Sequence, residues 1–176
     1  MKGFIIVFEG ADNLGKTTAA KIICEKLGYS YLKFPNESHY YGKILREVLQ
    51  GKRAFEPVSF QALNIIDRLF TEIEGKVIVD RYVLSGKIYG MSDGIPEEVV
   101  DQMNSLLYKP DLTFVFTGTP FCTDNELYDL NNTVVQRYSE YTEQNKENER
   151  VVEIFANRPI EEVVNEIISY IKKFDC

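Results

Sequence analysis

The segment from Gly10 to Thr17 constrains the fold of this chain more than any other feature. Its letters, GADNLGKT, match the pattern G-x-x-x-x-G-K-S/T. An almost continuous apolar run, residues 4–8, precedes the pattern, and a stretch with helical spacing follows it. In that context the glycines let backbone N–H groups surround phosphate oxygens, Lys16 adds a positive charge, and Thr17 offers a hydroxyl to Mg²⁺. The sequence therefore predicts a phosphate-binding loop between a strand and a helix.

Apolar runs rich in Val, Ile and Phe predict five strands, and helical spacing predicts most of the segments between them. The strand candidates are residues 4–8, 29–34, 76–80, 112–118 and 150–155. The helix candidates are residues 17–27, 57–73, 95–107, 133–144 and 159–174. Nearly continuous apolar strands that alternate with helices are typical of a parallel sheet covered on both faces. We therefore expect one three-layer α/β domain over residues 1–176, with a turn-rich loop near residues 118–132.

Net charge limits the partners that the chain can bind. The 176 residues include 27 acidic and 20 basic side chains, a formal charge of -7. A broad sequence-independent grip on DNA or RNA needs clustered Lys and Arg, so we expect no nucleic-acid partner. No apolar run approaches a membrane span, and the start MKGFIIVFEG is too short and too soon acidic for a secretory signal. We therefore expect a cytoplasmic protein with no membrane partner.

Cysteine and histidine usage excludes several kinds of site. Cys24, Cys122 and Cys176 are widely spaced and form no C-x-x-C pair, so we expect free thiols rather than disulfides or a zinc site. His39 is the only histidine. A histidine-based triad or a metal site with several histidines is therefore hard to build from this sequence.

Asp80 and Arg81 follow the apolar run VIV at the end of the third predicted strand. Ligands of parallel α/β sheets bind at the carboxyl ends of the strands, which is where both side chains would project. There, the carboxylate of Asp80 could orient a metal-bound water beside the phosphate loop. The alternative is a local ion pair at a strand end, since such pairs are common and contribute little.

Six segments, in order along the chain, resemble the thymidylate kinase family of P-loop nucleoside monophosphate kinases. They are FEGADNLGKTT (8–18), FP (34–35) with GK (42–43), DR (67–68), DRYVLSGKIY (80–89), KPDLTFVF (109–116) and FANRPIEEV (155–163). The resemblance implies a P-loop kinase fold, ATP as phosphoryl donor, Mg²⁺, and dTMP as the acceptor that is converted to dTDP. It also implies a homodimer and a lid loop near residues 118–132.

The same resemblance implies roles for residues near the phosphate loop. Lys16, Arg81 and Asp12 would be catalytic: Arg81 binds the acceptor phosphate, and Asp12 contacts the acceptor sugar and helps to orient the metal and phosphates. Thr17 and Asp80 would hold the metal. The implied ATP-binding residues are Gly10, Asp12, Asn13, Leu14, Gly15, Lys16, Thr17, Thr18, Arg137, Asn157 and Arg158.

For the acceptor nucleotide, the resemblance implies contacts to the base and the sugar. Arg68 would reach the base edge, Ser85 would lie along the base, and Tyr89 would crowd the 2′ position and so disfavour ribose. The implied acceptor-binding residues are Asp12, Phe34, Pro35, Phe60, Asn64, Arg68, Arg81, Ser85, Tyr89 and Tyr128.

Two departures from the family pattern bear on the acceptor. Glu37 stands where the family usually has an arginine, so either Glu37 turns outward or the acceptor is held differently. Asn64 stands where the family commonly has a phenylalanine that stacks on thymine. Phe60 lies one helical turn earlier and either takes over the stacking or belongs to the core. Asn64 could also read a base edge through hydrogen bonds.

A third departure concerns the arginine that stabilises the transition state, which the family places in the P-loop or in the lid. The P-loop position is Asn13, and no Lys or Arg occurs in residues 111–136. Either the enzyme is slow, or Arg137 reaches in from beyond the lid. These departures keep two alternatives open: a kinase for another deoxynucleoside monophosphate (dUMP, dGMP or a modified pyrimidine), and a catalytically weak nucleotide-binding protein.

Overall fold

Five parallel strands form one sheet in the computed structural model, which describes residues 3–121 and 132–175. The strands are β1 (Phe4–Gly10), β2 (Ser30–Lys33), β3 (Lys76–Asp80), β4 (Leu112–Thr117) and β5 (Val151–Phe155). Their order across the sheet is β2-β3-β1-β4-β5, and every neighbouring pair is parallel. The predicted strands and the predicted α/β architecture are confirmed, with the strand that precedes the phosphate loop at the centre.

In the described part of the chain, seven helices connect or follow these strands. They are α1 (Lys16–Leu27), α2 (Tyr40–Leu49), α3 (Pro57–Phe70), α4 (Val83–Ser92), α5 (Glu97–Asn104), α6 (Asn132–Gln144) and α7 (Ile160–Phe174). Helices α2 and α4 were not predicted, and α5 is shorter than expected. Helix α3 ends before residue 73, because Thr71 has an extended backbone and its hydroxyl donates to the Asp67 carbonyl at 2.8 Å.

The core lies on both faces of the sheet, because alternate side chains of a strand point in opposite directions. Ile6 and Phe8 of β1 pack among residues of α1 and α7. Ile5 and Val7 pack on the other face, with Ile65 of α3. A further buried cluster joins α4 and α6 beside β4. Helices therefore cover both faces, as the continuous apolar strands predicted.

Some of the sequence predictions concern residues outside the described ranges. Cys24 is a free, buried thiol, whereas Cys122 and Cys176 lie outside the described residues. Residues 122–131, most of the predicted lid, also lie outside them, and Tyr128 is among these. Within the described part of the chain, no helix is long and apolar enough to cross a membrane.

Candidate active site

The loop between β1 and α1 has the geometry expected of a phosphate-binding loop. Gly10 has φ 131°, and a Cβ at this position would lie 2.4 Å from the Phe116 carbonyl oxygen, so only glycine fits. Asn13 adopts a left-handed backbone with φ 58°, which asparagine tolerates better than most residues. Helix α1 begins at Lys16, so its unpaired N–H groups and positive dipole end face the loop. The loop is therefore shaped to bind an anion.

Lys16 places a cation inside this loop. Its side chain is only 5% exposed, and its ammonium group donates a hydrogen bond to the Ala11 carbonyl. Burial, reinforced by the nearby charge of Arg81, lowers the pKa of Lys16 to about 8, although Asp12 and Asp80 act in the opposite direction. Phosphate groups bound in the loop would therefore favour the charged ammonium form of Lys16, which burial disfavours.

Thr17 and Asp80 bring two oxygen donors together at the base of the loop. The Thr17 hydroxyl donates to Asp80 Oδ2 at 2.5 Å, and the Tyr31 hydroxyl donates to the same oxygen at 3.1 Å. Hydroxyl and carboxylate oxygens are ligands that Mg²⁺ accepts, so the residues present fit this ion. Residues 3–121 and 132–175 contain no group of three or more Asp, Glu, Cys or His side chains that could together hold a metal ion. A magnesium ion here would therefore take its other ligands from water and substrate phosphates.

Arg81 projects from the loop after β3 toward the phosphate loop. Its guanidinium donates to the Asp12 carboxylate and to the Tyr89 hydroxyl, the latter at 3.2 Å. It also lies over the Tyr89 ring, 5.4 Å from the ring centroid. The backbone of Arg81 is left-handed, with φ 69°, which is uncommon for a residue other than glycine. The structure therefore aims a cation at the junction between the phosphate loop and α4.

A single cleft of about 460 Å³ joins the phosphate loop to a pocket between α3 and α4. Sixteen of the residues predicted to bind ATP, acceptor or metal line this cleft: Asp12, Asn13, Leu14, Gly15, Lys16, Thr17, Thr18, Phe34, Pro35, Phe60, Asn64, Arg68, Asp80, Arg81, Ser85 and Tyr89. Lys33, Arg46, Leu49, Gln61 and Gly86 also line it and were not predicted. Gln61 is the neighbour of Phe60 in α3, yet nothing in the local pattern separated it from other polar helix residues.

Arg68 forms the buried end of this cleft. Its side chain is 5% exposed, and within the described residues its Nε and Nη1 atoms have no hydrogen-bond partner. Burial lowers the pKa of Arg68, whereas the charge of Glu9 opposes that change. The guanidinium lies 5.9 Å from the centroid of the Tyr82 ring. Buried donors without partners are costly, so this end of the cleft is suited to a ligand with carbonyl oxygens.

Phe60 and Asn64 form the wall beside Arg68. Phe60 is buried but lines the cleft, so it is both a core residue and a ligand-facing one. The Asn64 side-chain amide donates to the Phe60 carbonyl at 2.9 Å, within the same helix. That bond commits part of the amide to α3 and leaves the Asn64 side-chain oxygen as its principal group for a ligand.

A sequence model of the thymidylate kinase family matches residues 8–167. The chain belongs to the thymidylate kinase family. A probable thymidylate kinase from Methanocaldococcus jannaschii is 30% identical, over 95% of this chain and 95% of its own length. Another, from Sulfolobus acidocaldarius, is 30% identical over 97% of each chain. The solved thymidylate kinase of Candida albicans, 22% identical, has a TM-score of 0.75 and covers 98% of this chain and 92% of its own, which shows the shared fold.

Membership in the thymidylate kinase family confirms the resemblance found in the sequence and makes the position of Glu37 informative. Its carboxylate accepts a hydrogen bond from Arg46 Nε at 2.9 Å, and the Glu37 side chain is 54% exposed. Glu37 therefore turns outward, the first of the two interpretations offered above. Arg46, from the unpredicted helix α2, lines the cleft while it is paired with Glu37.

Four of the residues predicted to bind ATP do not line the cleft: Gly10, Arg137, Asn157 and Arg158. Arg137 is in α6. Asn157 bonds through its side chain to the N–H and carbonyl of Thr119, at 2.5 and 2.8 Å. Arg158 donates to the Glu166 carboxylate and to the Phe155 carbonyl. Contacts of these residues with ATP therefore stay predictions, as does that of Tyr128 with the acceptor.

Proposed function

We propose that this protein transfers the γ-phosphoryl group of ATP to dTMP, producing dTDP and ADP. The observation that carries the proposal is the continuous cleft, which has a phosphate-binding loop at one end and the buried donors of Arg68 at the other. Arg81 lies between these two ends. Membership in the thymidylate kinase family supports the same reaction and the same acceptor.

The phosphate loop would hold the donor. Backbone N–H groups of the loop and the ammonium group of Lys16 bind the β- and γ-phosphates of ATP. Thr17 and Asp80, whose oxygens are 2.5 Å apart, would hold Mg²⁺. The ion, when bound, neutralises charge on the phosphate oxygens.

The other end of the cleft would hold the acceptor. Arg68 donates to a carbonyl of the thymine ring, and Phe60 contacts the face of the ring. Tyr89 crowds the 2′ position and excludes ribose. Arg81 binds the acceptor phosphate, and Asp12, paired with Arg81, contacts the sugar. The role of Phe60 rests on its place in the wall of this cavity, whereas the other roles also follow the family pattern.

Transfer requires positioning and neutralisation of charge more than covalent participation by the protein. An oxygen of the acceptor phosphate attacks the γ-phosphorus of ATP. The bond from that phosphorus to the β–γ bridging oxygen breaks, and ADP leaves. Lys16 and Arg81 stabilise the negative charge on the transferred group from two sides.

The test is a panel of acceptors incubated with purified protein and Mg-ATP, with the diphosphate product measured. We expect dTMP to be preferred over dUMP and dGMP, and deoxynucleotides over ribonucleotides. A preference for another base would point to Asn64 as the residue that reads it. Bound ATP without diphosphate from any acceptor would contradict the proposed function.

A cytoplasmic location stays a prediction.

We also infer that the protein forms a homodimer, as the family pattern implies. Large apolar side chains are exposed on α2 and α3: Tyr40, Val58, Leu69 and Phe70. Burial of such a surface against a second copy would be favourable. Light scattering after size exclusion tests this inference, and a dimer that becomes monomeric on Leu69→Glu substitution would support it. A monomer at all concentrations would contradict it.

A further inference from the structure

Glu9 is a carboxylate in the centre of the apolar sheet. It is the penultimate residue of β1 and is 0% exposed. Oε1 accepts hydrogen bonds from the backbone N–H groups of Tyr82 and Leu84, each at 3.0 Å. Oε2 accepts from the backbone N–H of Ser85 at 3.2 Å and from its hydroxyl at 2.5 Å. A single buried side chain therefore gathers four donors from a segment more than 70 residues away in the sequence.

These donors surround the start of helix α4. The first N–H groups of a helix have no partner inside the helix, and the residue before α4, Tyr82, makes no side-chain cap. Glu9 supplies the cap from a neighbouring strand, and its negative charge lies at the positive end of the helix dipole. The position of α4 relative to β1 is therefore set by this carboxylate.

Arg81 lies directly before the capped segment. Its left-handed backbone is disfavoured for an arginine, so it needs support from its surroundings. That support comes from two consecutive residues of β1. The N–H of Arg81 donates to the Phe8 carbonyl at 2.9 Å, and the next N–H, that of Tyr82, donates to Glu9. The peptide groups on both sides of Arg81 are thus tied to the strand that carries the phosphate loop.

Glu9 also orients the side chain beside Arg81. Because the Ser85 hydroxyl donates its hydrogen to Glu9, the Tyr138 hydroxyl, 3.0 Å away, must donate to the Ser85 oxygen. The Ser85 oxygen therefore faces Arg81 Nη1, 3.4 Å away, as an acceptor. Backbone and side-chain contacts of Glu9 converge on the same guanidinium.

We propose that Glu9 is a positioning residue for phosphoryl transfer, which holds Arg81 in the turn that directs its guanidinium toward Asp12 and the cleft. The inference rests on the proposed function, in which Arg81 binds the acceptor phosphate. It assigns to Glu9 a role that neither the loop motif nor the family pattern stated above includes. Whichever way its amide is turned, a glutamine would place NH2 hydrogens against a backbone N–H of this segment, so an isosteric side chain does not replace the carboxylate.

The test is a double-mutant cycle on kcat, measured with radiolabelled ATP. Glu9→Gln is expected to lower kcat for dTMP at least tenfold and to change the KM for ATP by less than twofold. In an Arg81→Ala background, Glu9→Gln is expected to have no further effect on kcat, because the side chain that it positions is gone. If Glu9→Gln instead acted through a general loss of stability, it would lower kcat by the same factor with and without Arg81.

Tyr138→Phe is the matched control. It removes the hydroxyl at the outer end of the same buried network and leaves the four bonds of Glu9 in place. Its kcat is expected to stay within threefold of the unaltered protein. The proposal is overturned if the unaltered protein forms dTDP and Glu9→Gln keeps its kcat, or if the loss recurs undiminished without Arg81.

Hydrogen exchange on the unaltered protein tests the same contacts without any turnover. The N–H groups of Tyr82 and Leu84 are expected to exchange as slowly as those of the central strands. Fast exchange of these two groups would overturn the proposal even if Glu9→Gln fails to fold. Absence of dTDP formation by the unaltered protein, together with slow exchange, would contradict the proposed reaction and leave the contacts of Glu9 intact.

Discussion

The hydroxyl of Thr17 donates a 2.5 Å hydrogen bond to the carboxylate of Asp80, which joins the first turn of α1 to the end of β3. These two oxygens come from residues 63 positions apart in the sequence. They meet because β1 and β3 are neighbouring parallel strands whose carboxyl ends lie at the same edge of the sheet. The contact is the structural basis for the proposed magnesium site.

Asp80→Asn is expected to raise the Mg²⁺ concentration for half-maximal activity about tenfold or more, because an amide has no charge and one oxygen fewer. The measurement is the initial rate against Mg²⁺ concentration at fixed ATP. Tyr31→Phe removes the other donor to Asp80 and is the control, with an expected shift below about threefold. Equal Mg²⁺ dependence in Asp80→Asn and the unaltered protein would argue against a metal at Asp80.

Lys16 is expected to take up a proton when ATP binds under alkaline conditions. Without nucleotide, burial and the charge of Arg81 lower the pKa of Lys16 to about 8, so the group is largely neutral above that pH. Phosphate charges favour the ammonium form and raise the pKa again. Titration calorimetry in buffers of different ionisation enthalpy should therefore show proton uptake at pH 8.5 and little from this group at pH 6.5.

The control for that experiment is Lys16→Arg, since arginine stays protonated throughout this range. Any ATP binding by this variant should lack the uptake at pH 8.5. The same uptake in both proteins would assign the proton to another group.

Arg68→Met is expected to stabilise the fold and weaken the enzyme. Within the described residues, the guanidinium has two buried nitrogen atoms without partners, and replacement by an apolar side chain removes that cost. The free energy of unfolding in urea should rise by about 1 to 2 kcal/mol in the absence of nucleotide. The kcat/KM for dTMP should fall about 100-fold, because a buried donor to the base is lost.

Arg68→Lys is the comparison for that variant, because it keeps a buried charge and should therefore not gain stability. If Arg68→Met is less stable than the unaltered protein, the unpaired donors were satisfied and the argument is wrong.

Phe60→Leu is expected to raise the KM for dTMP between about threefold and tenfold, because an aromatic contact with the base is lost while the side-chain volume is largely kept. The KM for ATP should not change. Ser59→Ala, an exposed position in the same helix, should leave both values unaltered. Steady-state kinetics with each substrate varied separately distinguishes these outcomes, and an unchanged KM for dTMP in Phe60→Leu would confine Phe60 to the core.

The strands and the phosphate loop were predictable because their signals are local. Helix α4 was missed because it contains Gly86 and Gly90, which lower helix propensity. The structure explains both glycines through contacts that no local pattern reveals. A Cβ at Gly86 would lie 2.6 Å from Arg68 Nη1, and one at Gly90 would lie 3.0 Å from Val100 Cγ2. Close packing against α3 and α5 thus stabilises α4 despite the low helix propensity of its two glycines.

Residues of the candidate site were predicted only where a local sequence pattern pointed to them. Asp80 and Arg81 were predicted because they directly follow an apolar run, whereas Glu9 was overlooked although it also directly follows one. The orientation of Glu37 could not be decided from sequence, since its partner Arg46 lies in a helix that the periodicity did not predict. Pairings of this kind depend on how the elements assemble.

All of the described side chains that line the cleft belong to residues 12–89, although the sheet extends through β4 and β5. The later strands support the cleft through the backbone; for example, the Phe116 carbonyl of β4 packs against Gly10. Under the proposed function, the described residues that select the acceptor therefore all precede β4 in the sequence. Substitutions in β5 can therefore change the stability of the sheet without replacing any side chain that lines the cleft.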